Sequence, residues 1–320
     1  MGAFVDFGPG LTAPPPVHCR KAVLYFFQLE ADRAELDRLC CKVFQKASDP
    51  SIVCRPIDRS LTLVFGDILW VGNPDLNAAV AEKQVLIQVP VYFEVGGVCG
   101  YGHFTPYIWV NNPLSMAGGR EVFGYPKGLG NLCVPRQPES SALELTLQTW
   151  VGDLGTGGVW EPDQDQLLVK QGGHFQPPQP AVGIIDYWMR QLENDHSRDL
   201  LRDRIHGKST EIFLKQFRSF NSSVAQQTAC LEQIATAKYS VDPRVQPTLT
   251  QLASIFDLTI ANFDSANIVS SLGLKNLSSV PGKDKAFRGT LRGSLRVEID
   301  SIVLDQGQVL WESRSPTLPS

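Results

Sequence analysis

The sequence predicts a mainly β protein of the α+β class, an antiparallel β-barrel or sandwich with a few flanking helices. Three observations predict it. Apolar runs of strand length recur at residues 22–28, 61–71, 83–94, 103–110, 212–217, 230–239, 256–261 and 295–304. Glycine and proline punctuate the gaps between them, as turns require. Helical periodicity is confined to a few stretches, so strands do not alternate with helices as they would around a parallel sheet.

The elements follow in order. Residues 1–17 are rich in glycine and proline, end in Pro14-Pro15-Pro16, and read as an extended arm before one domain over 18–320. Residues 31–46 carry Leu36, Leu39, Cys40, Val43 and Phe44 at helical spacing with charges between them, an amphipathic helix laid on a sheet. The run 61–71 is interrupted by Gly66-Asp67. An acid inside a strand either sits at a solvent-facing bulge or is buried against a partner. Runs 83–94 and 103–110 are separated by Gly96-Gly97 and Gly100, a hairpin. Asn112-Pro113 fits a helix start, with the helix running to about residue 121. Leu143, Leu145 and Leu147 alternate with polar residues as in a half-buried strand. Residues 152–158 form a glycine-rich loop without the Lys and Ser/Thr of a phosphate loop, and 171–183, with three prolines, read as a linker. Residues 184–204 place Ile185, Trp188, Met189 and Leu192 on one helical face, a lid, an oligomer contact or a helical insertion near 184–205. Residues 247–254 read as a short helix.

Composition narrows the function. A chain of 320 residues, 43% hydrophobic and 19% charged, buries a sizeable core. A net charge of −4 gives no basic face for nucleic acid. No apolar run spans a bilayer, and no secretory leader is recognisable at the start, so a cytoplasmic protein is expected. Seven scattered cysteines, with no Cys-x-x-Cys, read as reduced thiols. Five histidines show no His-Glu-x-x-His and no other metal spacing. There is no Gly-x-Ser-x-Gly elbow and no Gly-x-Gly-x-x-Gly after a strand, so no serine hydrolase, bound dinucleotide, metal or other cofactor is expected.

The candidate chemistry lies in Gly119-Arg120-Glu121-Val122-Phe123-Gly124-Tyr125-Pro126-Lys127-Gly128. Pro126 fixes its own φ and restricts Tyr125, so Lys127 leaves a stiff turn in a defined direction. Phe123 and Tyr125 supply apolar walls. Desolvation disfavours a charged ammonium, and a neutral lysine amine adds to carbonyls to form a Schiff base. Upstream, Tyr107 and Trp109 either line a pocket for a large or aromatic substrate or pack in the core, and His103 is either an acid or base near neutrality or a structural residue.

This segment resembles the signature of the acetoacetate decarboxylase family, GRE-x-x-GYPK or GRE-x-x-GFPK. Residues 105–111, Thr-Pro-Tyr-Ile-Trp-Val-Asn, resemble its VPYMYVD strand, and 84–91, Gln-Val-Leu-Ile-Gln-Val-Pro-Val, resemble its E-A-V-L-x-V-P-V strand. The resemblance implies the acetoacetate decarboxylase type of barrel, a homo-oligomer, and Lys127 as the Schiff-base lysine. It places Arg120 and Glu121 in the site, Arg120 holding a carboxylate and Glu121 orienting it or relaying protons. Asp67 is the nearest candidate for a strand glutamate of the family. Three charges of the pattern are replaced. The second lysine is Gly128, the glutamate that starts the upstream strand is Gln84, and the aspartate after the tyrosine strand is Asn111. These departures imply a different substrate. The expected function is a lyase acting on a keto acid by decarboxylation, cyclisation or aldol condensation and dehydration in specialised metabolism, for example a cyclase–decarboxylase of an aromatic β-keto acid. The alternative is a non-catalytic small-molecule-binding protein that retains the barrel.

Overall fold

The structure is a computed structural model that describes residues 14–45, 49–76, 78–137, 143–149, 166–172, 179–218, 229–242, 244–252, 255–261, 267–283, 285–305 and 307–314. Its first half contains β1 (Val17–Glu30), α1 (Arg33–Phe44), β2 (Val53–Pro56), β3 (Ser60–Asn73), β4 (Ala78–Val95), β5 (Val98–Val110), α2 (Pro113–Gly118), β6 (Lys127–Cys133) and β7 (Glu144–Thr149). Then follow β8 (Leu167–Gln171), β9 (Gln179–Pro180), α3 (Val182–Gln191), α4 (Asp195–Ile205), β10 (Ser209–Arg218) and β11 (Ala229–Val241). The chain continues through β12 (Thr248–Gln251), β13 (Ile255–Ala261), α5 (Ile268–Leu272), β14 (Leu277–Ser279), β15 (Ala286–Arg292), β16 (Leu295–Leu304) and β17 (Gln308–Arg314).

The mainly β, mostly antiparallel architecture agrees with the sequence reading. Seven strands pair in a closed circuit: β1 with β3, β3 with β4, β4 with β5, β5 with β10, β10 with β11, β11 with β16, and β16 back to β1. Closure removes the exposed edges that an open sheet would carry. A second sheet, β6-β7-β8-β13-β15-β14, leaves the barrel through β6.

Strand periodicity assigns the two sides of the barrel wall. In β1, Leu24 and Phe26 face inward with Leu86, Ile108 and Val297. The alternate residues Val23, Tyr25 and Phe27 pack outward with Phe65, Leu145 and Phe256 under the second sheet. The rings of Phe27 and Phe256 meet edge-on at 5.1 Å. Helix α1, capped by the Asp32 carboxylate on the Ala34 N–H, buries Leu36, Cys40 and Phe44.

β5 has to serve two partners along one edge. His103 and Phe104 pair in parallel with Glu211 and Ile212 of β10, whereas Ile108, Trp109 and Val110 pair in parallel with the first residues of β6. Pro106, which has no N–H to donate, sits where that edge changes hands. The switch sends β6, and Lys127 with it, alongside the barrel.

Three expectations change. The single helix over 184–204 is two helices, broken at Leu192-Glu193-Asn194. There the Glu193 N–H donates to Asp58 Oδ2 at 2.8 Å, and Asn194 both caps Ser197 N and donates to the Ile57 carbonyl. The helix expected over 247–254 is strand β12, because the open edge of β16 offers partners to Thr248–Gln251. The arm expected over 1–17 contributes Val17 to β1, and residues 1–13 lie outside the described set, as do the glycine loop at 152–158 and residues 173–178 of the expected linker, whose ends belong to β8, β9 and α3.

Asp67 is buried and paired rather than bulged into solvent. Arg136 Nη1 bonds its carboxylate at 2.8 Å and its carbonyl at 3.1 Å, and Lys83 Nζ stands at 3.8 Å. Arg136 also donates to the Lys21 carbonyl, tying β1, β3 and the segment after β6 together. We predict that Arg136→Met lowers unfolding free energy by about 2 kcal/mol, because a buried carboxylate loses its main partner while the partly exposed arginine and Lys83 soften the loss. The double variant Asp67→Asn/Arg136→Met should recover part of it in urea unfolding. Additive losses would show that the pair is not coupled.

Candidate active site

The barrel interior is not filled. A cavity of about 370 Å³ remains, walled by alternate residues of its strands. β4 contributes Val80, Glu82, Gln84, Leu86 and Gln88 at a period of two, with Ala79 at its start. Lys127 enters this space as the first residue of β6.

The approach to Lys127 is tightly specified. Asn112 caps α2 through Leu114 N and Ser115 N. The chain then makes one π turn over Gly119–Phe123, and the N–H groups of Gly124 and Tyr125 both donate to the Gly119 carbonyl at 3.0 Å. Gly124 leaves the turn at φ +92, a conformation only glycine adopts cheaply, with no room for a Cβ against Lys215. The Lys127 N–H closes onto the Tyr125 carbonyl at 2.8 Å across Pro126. Gly119 lies against the lysine itself, since a Cβ there would come within 2.5 Å of Lys127 Cδ.

Lys127 is 8% exposed and Glu82 3%. The Lys127 amine lies 3.3 Å from Glu82 Oε2 and 2.8 Å from Ser115 Oγ, and the Ser115 hydroxyl donates to the same carboxylate. Charged groups so buried are stable only when paired and hydrogen-bonded. Tyr125, whose ring centre is 6.0 Å from Nζ, shares a 2.7 Å hydrogen bond with Tyr239, and burial raises both phenols above their usual range. Cys19, also in the wall, is pushed up to about 12 by burial and then by the Glu82 charge.

Beyond the tyrosines lies a second acid. Glu211 is wholly buried and accepts hydrogen bonds from Gln88 Nε2, Ser209 Oγ and Thr105 Oγ1. Burial raises its carboxyl to about 7 despite the opposing charge of Arg204 and those hydrogen bonds.

Residues 57–159 match the sequence model of the family described as acetoacetate decarboxylase (ADC). No curated protein sequence matches the chain. Among solved structures, the acetoacetate decarboxylase from Legionella pneumophila subsp. pneumophila str. Philadelphia 1 superposes with a TM-score of 0.60 at 14% identity, covering 97% of this chain and 94% of that one. The chain thus shares the acetoacetate decarboxylase fold, and its central segment matches that family's model. The enduracididine biosynthesis enzyme MppR, solved with pyruvate bound, gives 0.53 at 14% identity over 93% of this chain and 91% of its own. An acetoacetate decarboxylase-like enzyme from Sphingomonas wittichii RW1 gives 0.52 at 12% identity over 97% and 100%.

The pocket gathers some of the sequence candidates and leaves others out. Lys127, Gln84, Phe123 and Tyr125 line it. Arg120 and Glu121 are exposed and outside it. Arg120 Nη1 instead donates to the Lys127 carbonyl at 3.1 Å, and Glu121 lies near Lys215. Tyr107 and Trp109 stack on each other at 5.8 Å on the outer side of the wall. The space beside Gly128 is taken by that Trp109 ring, which a Cβ would meet at 2.9 Å, so a second lysine has no place there. Asp67 serves the ion pair described above. His103 is buried behind the cavity with Nδ1 3.0 Å from Ser209 Oγ, and burial, with Arg204 nearby, lowers it to about 3, which leaves it neutral near pH 7. Asn111 accepts the Lys83 N–H at 2.7 Å, joining β4 to β5.

Among the polar pocket residues that the sequence reading does not single out are Glu82, Ser115, Arg204 and Glu211. Counting back by two from Gln84 along β4 reaches Glu82, so the acid beside the lysine is present and only displaced from the expected position. Glu211 stands at the head of an apolar run, one residue before the strand was taken to begin. No periodicity singled out Ser115 or Arg204.

Two outcomes follow. Gly119→Ala should fold with little loss, since the atoms it meets belong to a flexible lysine chain, yet push the amine away from Glu82. We expect its reactivity toward an amine reagent to change severalfold at unchanged melting temperature. Unchanged reactivity would mean the lysine is not held by that contact. For Glu211, the folded carboxyl titrates near 7 against an ordinary 4.5. The folded protein therefore binds more protons in that window, so the stability Glu211 contributes is full below pH 4.5 and is lost as pH rises through 7. Glu211→Gln should gain on the wild type by on the order of 3 kcal/mol between pH 4.5 and 8 in urea unfolding. A pH-independent difference would refute the shift.

Proposed function

We propose that this protein is a lyase that acts on a keto acid through a Schiff base on Lys127. The observation that supports the reading best is a lysine amine inside an otherwise largely apolar barrel cavity, held by one carboxylate and one hydroxyl. Addition to a ketone needs a free amine. In the proposed sequence Glu82 takes a proton from Nζ and the amine attacks the carbonyl carbon. The resulting carbinolamine oxygen receives a proton and leaves as water, giving an iminium. The iminium accepts the electron pair of a breaking carbon–carbon bond. A β-carboxylate thereby departs as carbon dioxide, or Glu82 removes an α-proton to give the enamine, which attacks a second carbonyl in a cyclisation or aldol condensation followed by dehydration; water then hydrolyses the iminium and frees Lys127. Ser115 carries protons between Nζ and Glu82. Arg120 acts as a positioning residue through the Lys127 backbone rather than as a carboxylate ligand.

The walls favour a substrate larger than acetoacetate. Leu24, Leu86, Ile108 and Phe123 surround the amine with apolar surface, which suits an aromatic or extended keto acid of specialised metabolism. The MppR enzyme, solved with the condensation product of pyruvate and imidazole 4-carboxaldehyde, supports condensation as well as decarboxylation for such a site.

Borohydride reduction in the presence of pyruvate or an aryl β-keto acid should add the reduced ligand mass to the intact protein, on Lys127 by peptide mapping. Lys127→Met should abolish the adduct. If no keto acid gives an adduct while one still raises the melting temperature, the protein is a binding protein without this chemistry.

A further inference from the structure

The cavity has a cation that the Schiff-base chemistry does not use. Arg204, near the end of α4, lines the same space as Lys127. Its neighbours on the helix are neutralised locally, Arg198 by Asp195 at 2.7 Å and Arg202 by Asp199 at 2.6 Å. Arg204 forms no such pair among the described residues, and its buried Nε has no hydrogen-bond partner. The guanidinium is instead held between aromatic faces, 5.9 Å from the Phe26 ring centre and 5.8 Å from that of Tyr239. Such a setting orients an arginine and dries it without satisfying its donors.

Glu211 feels the Arg204 charge, but no hydrogen bond joins the two side chains among the described residues. Both oxygens of Glu211 are engaged by Gln88, Ser209 and Thr105. Glu82 is engaged by Lys127 and Ser115. A half-buried arginine whose Nε is buried and unpartnered suits a planar anion. Tyr125, whose ring centre is 6.0 Å from the amine, and Tyr239, 5.8 Å from the guanidinium, are joined through their hydroxyls, and apolar side chains including Leu24, Leu86, Ile302 and Leu304 line the same space.

We propose that Arg204 is the specificity-determining residue of the pocket and binds a carboxylate that an apolar body separates from the reacting carbonyl. The substrate class is then an oxo acid with a remote, retained carboxylate, distinct from any carboxylate lost beside the iminium. The proposal rests on Lys127 marking the carbonyl end of the cavity.

The test uses the whole chain and reads equilibrium binding by calorimetry, which needs no Schiff base. The probes are para-acetylbenzoate, whose carboxylate stands across a ring from its ketone, and its methyl ester. Wild type should bind the acid about tenfold more tightly than the ester, the worth of one charged hydrogen-bonded contact. Arg204→Met should remove that preference and leave ester affinity unchanged, and Arg204→Lys should restore part of it. Lys127→Met should keep the preference for the acid, so failure of the Schiff-base reading, seen as no borohydride adduct, is separable from failure of this one. Equal binding of acid and ester by wild type, no binding of either, or a preference that survives Arg204→Met overturns the proposal.

Discussion

The structure depends on the hydrogen-bonding demand of β5. Every buried N–H and C=O of a strand needs a partner, and one edge of β5 is served by β4 except at an irregularity opposite Thr105-Pro106. Its other edge must close the barrel through β10 and also carry β6, and the two tasks occupy successive halves of the strand. Pro106 makes the division cheap by removing a donor at the junction. Because β6 takes over there, Lys127 is fixed by main-chain pairing to Ile108 at the barrel wall rather than by a loop. The lysine's place is thus a consequence of barrel closure, and the π turn before it is the connection that such a placement leaves room for.

Inside that frame the polar groups form two separate assemblies. One joins Lys127, Ser115 and Glu82; the other joins Glu211 to Gln88, Thr105 and Ser209, with His103 behind Ser209. Separate assemblies give the two acids different surroundings. Burial holds a proton on Glu211 up to about 7, well above the usual carboxylate range. Raising the pH through 7 therefore adds charge at the Glu211 end of the cavity.

Much of this was legible in the sequence. Apolar alternation and glycine or proline breaks located β1, β3, β4, β5 and β16, and the Asn112-Pro113 signal located α2, because those cues are local. Lys127 was legible because a stiff turn and a family pattern coincide on it. Arg120 and Glu121 were drawn into the site by their adjacency in sequence, but a π turn separates side chains that neighbour each other along the chain. Trp109 and Tyr107 were ambiguous because a two-sided barrel wall is apolar on both faces, so composition does not say which face is the pocket. Arg204 and Glu211 come from distant elements that only closure brings to the amine. Strand β12 was misread because its partner, the free edge of β16, is not visible in a window of eight residues.

The contact between Gly119 and the Lys127 side chain has an evolutionary consequence. The glycine that opens the motif is the imprint of the lysine's own methylene chain, since any larger residue would occupy the volume where Cδ and Cε lie. The two positions are coupled although seven residues lie between them. A lineage that replaces the lysine by something short frees position 119 to drift, while one that fills position 119 must let the lysine chain take another path to its partners. Residue 119 therefore bears on where the amine stands rather than on whether the fold forms.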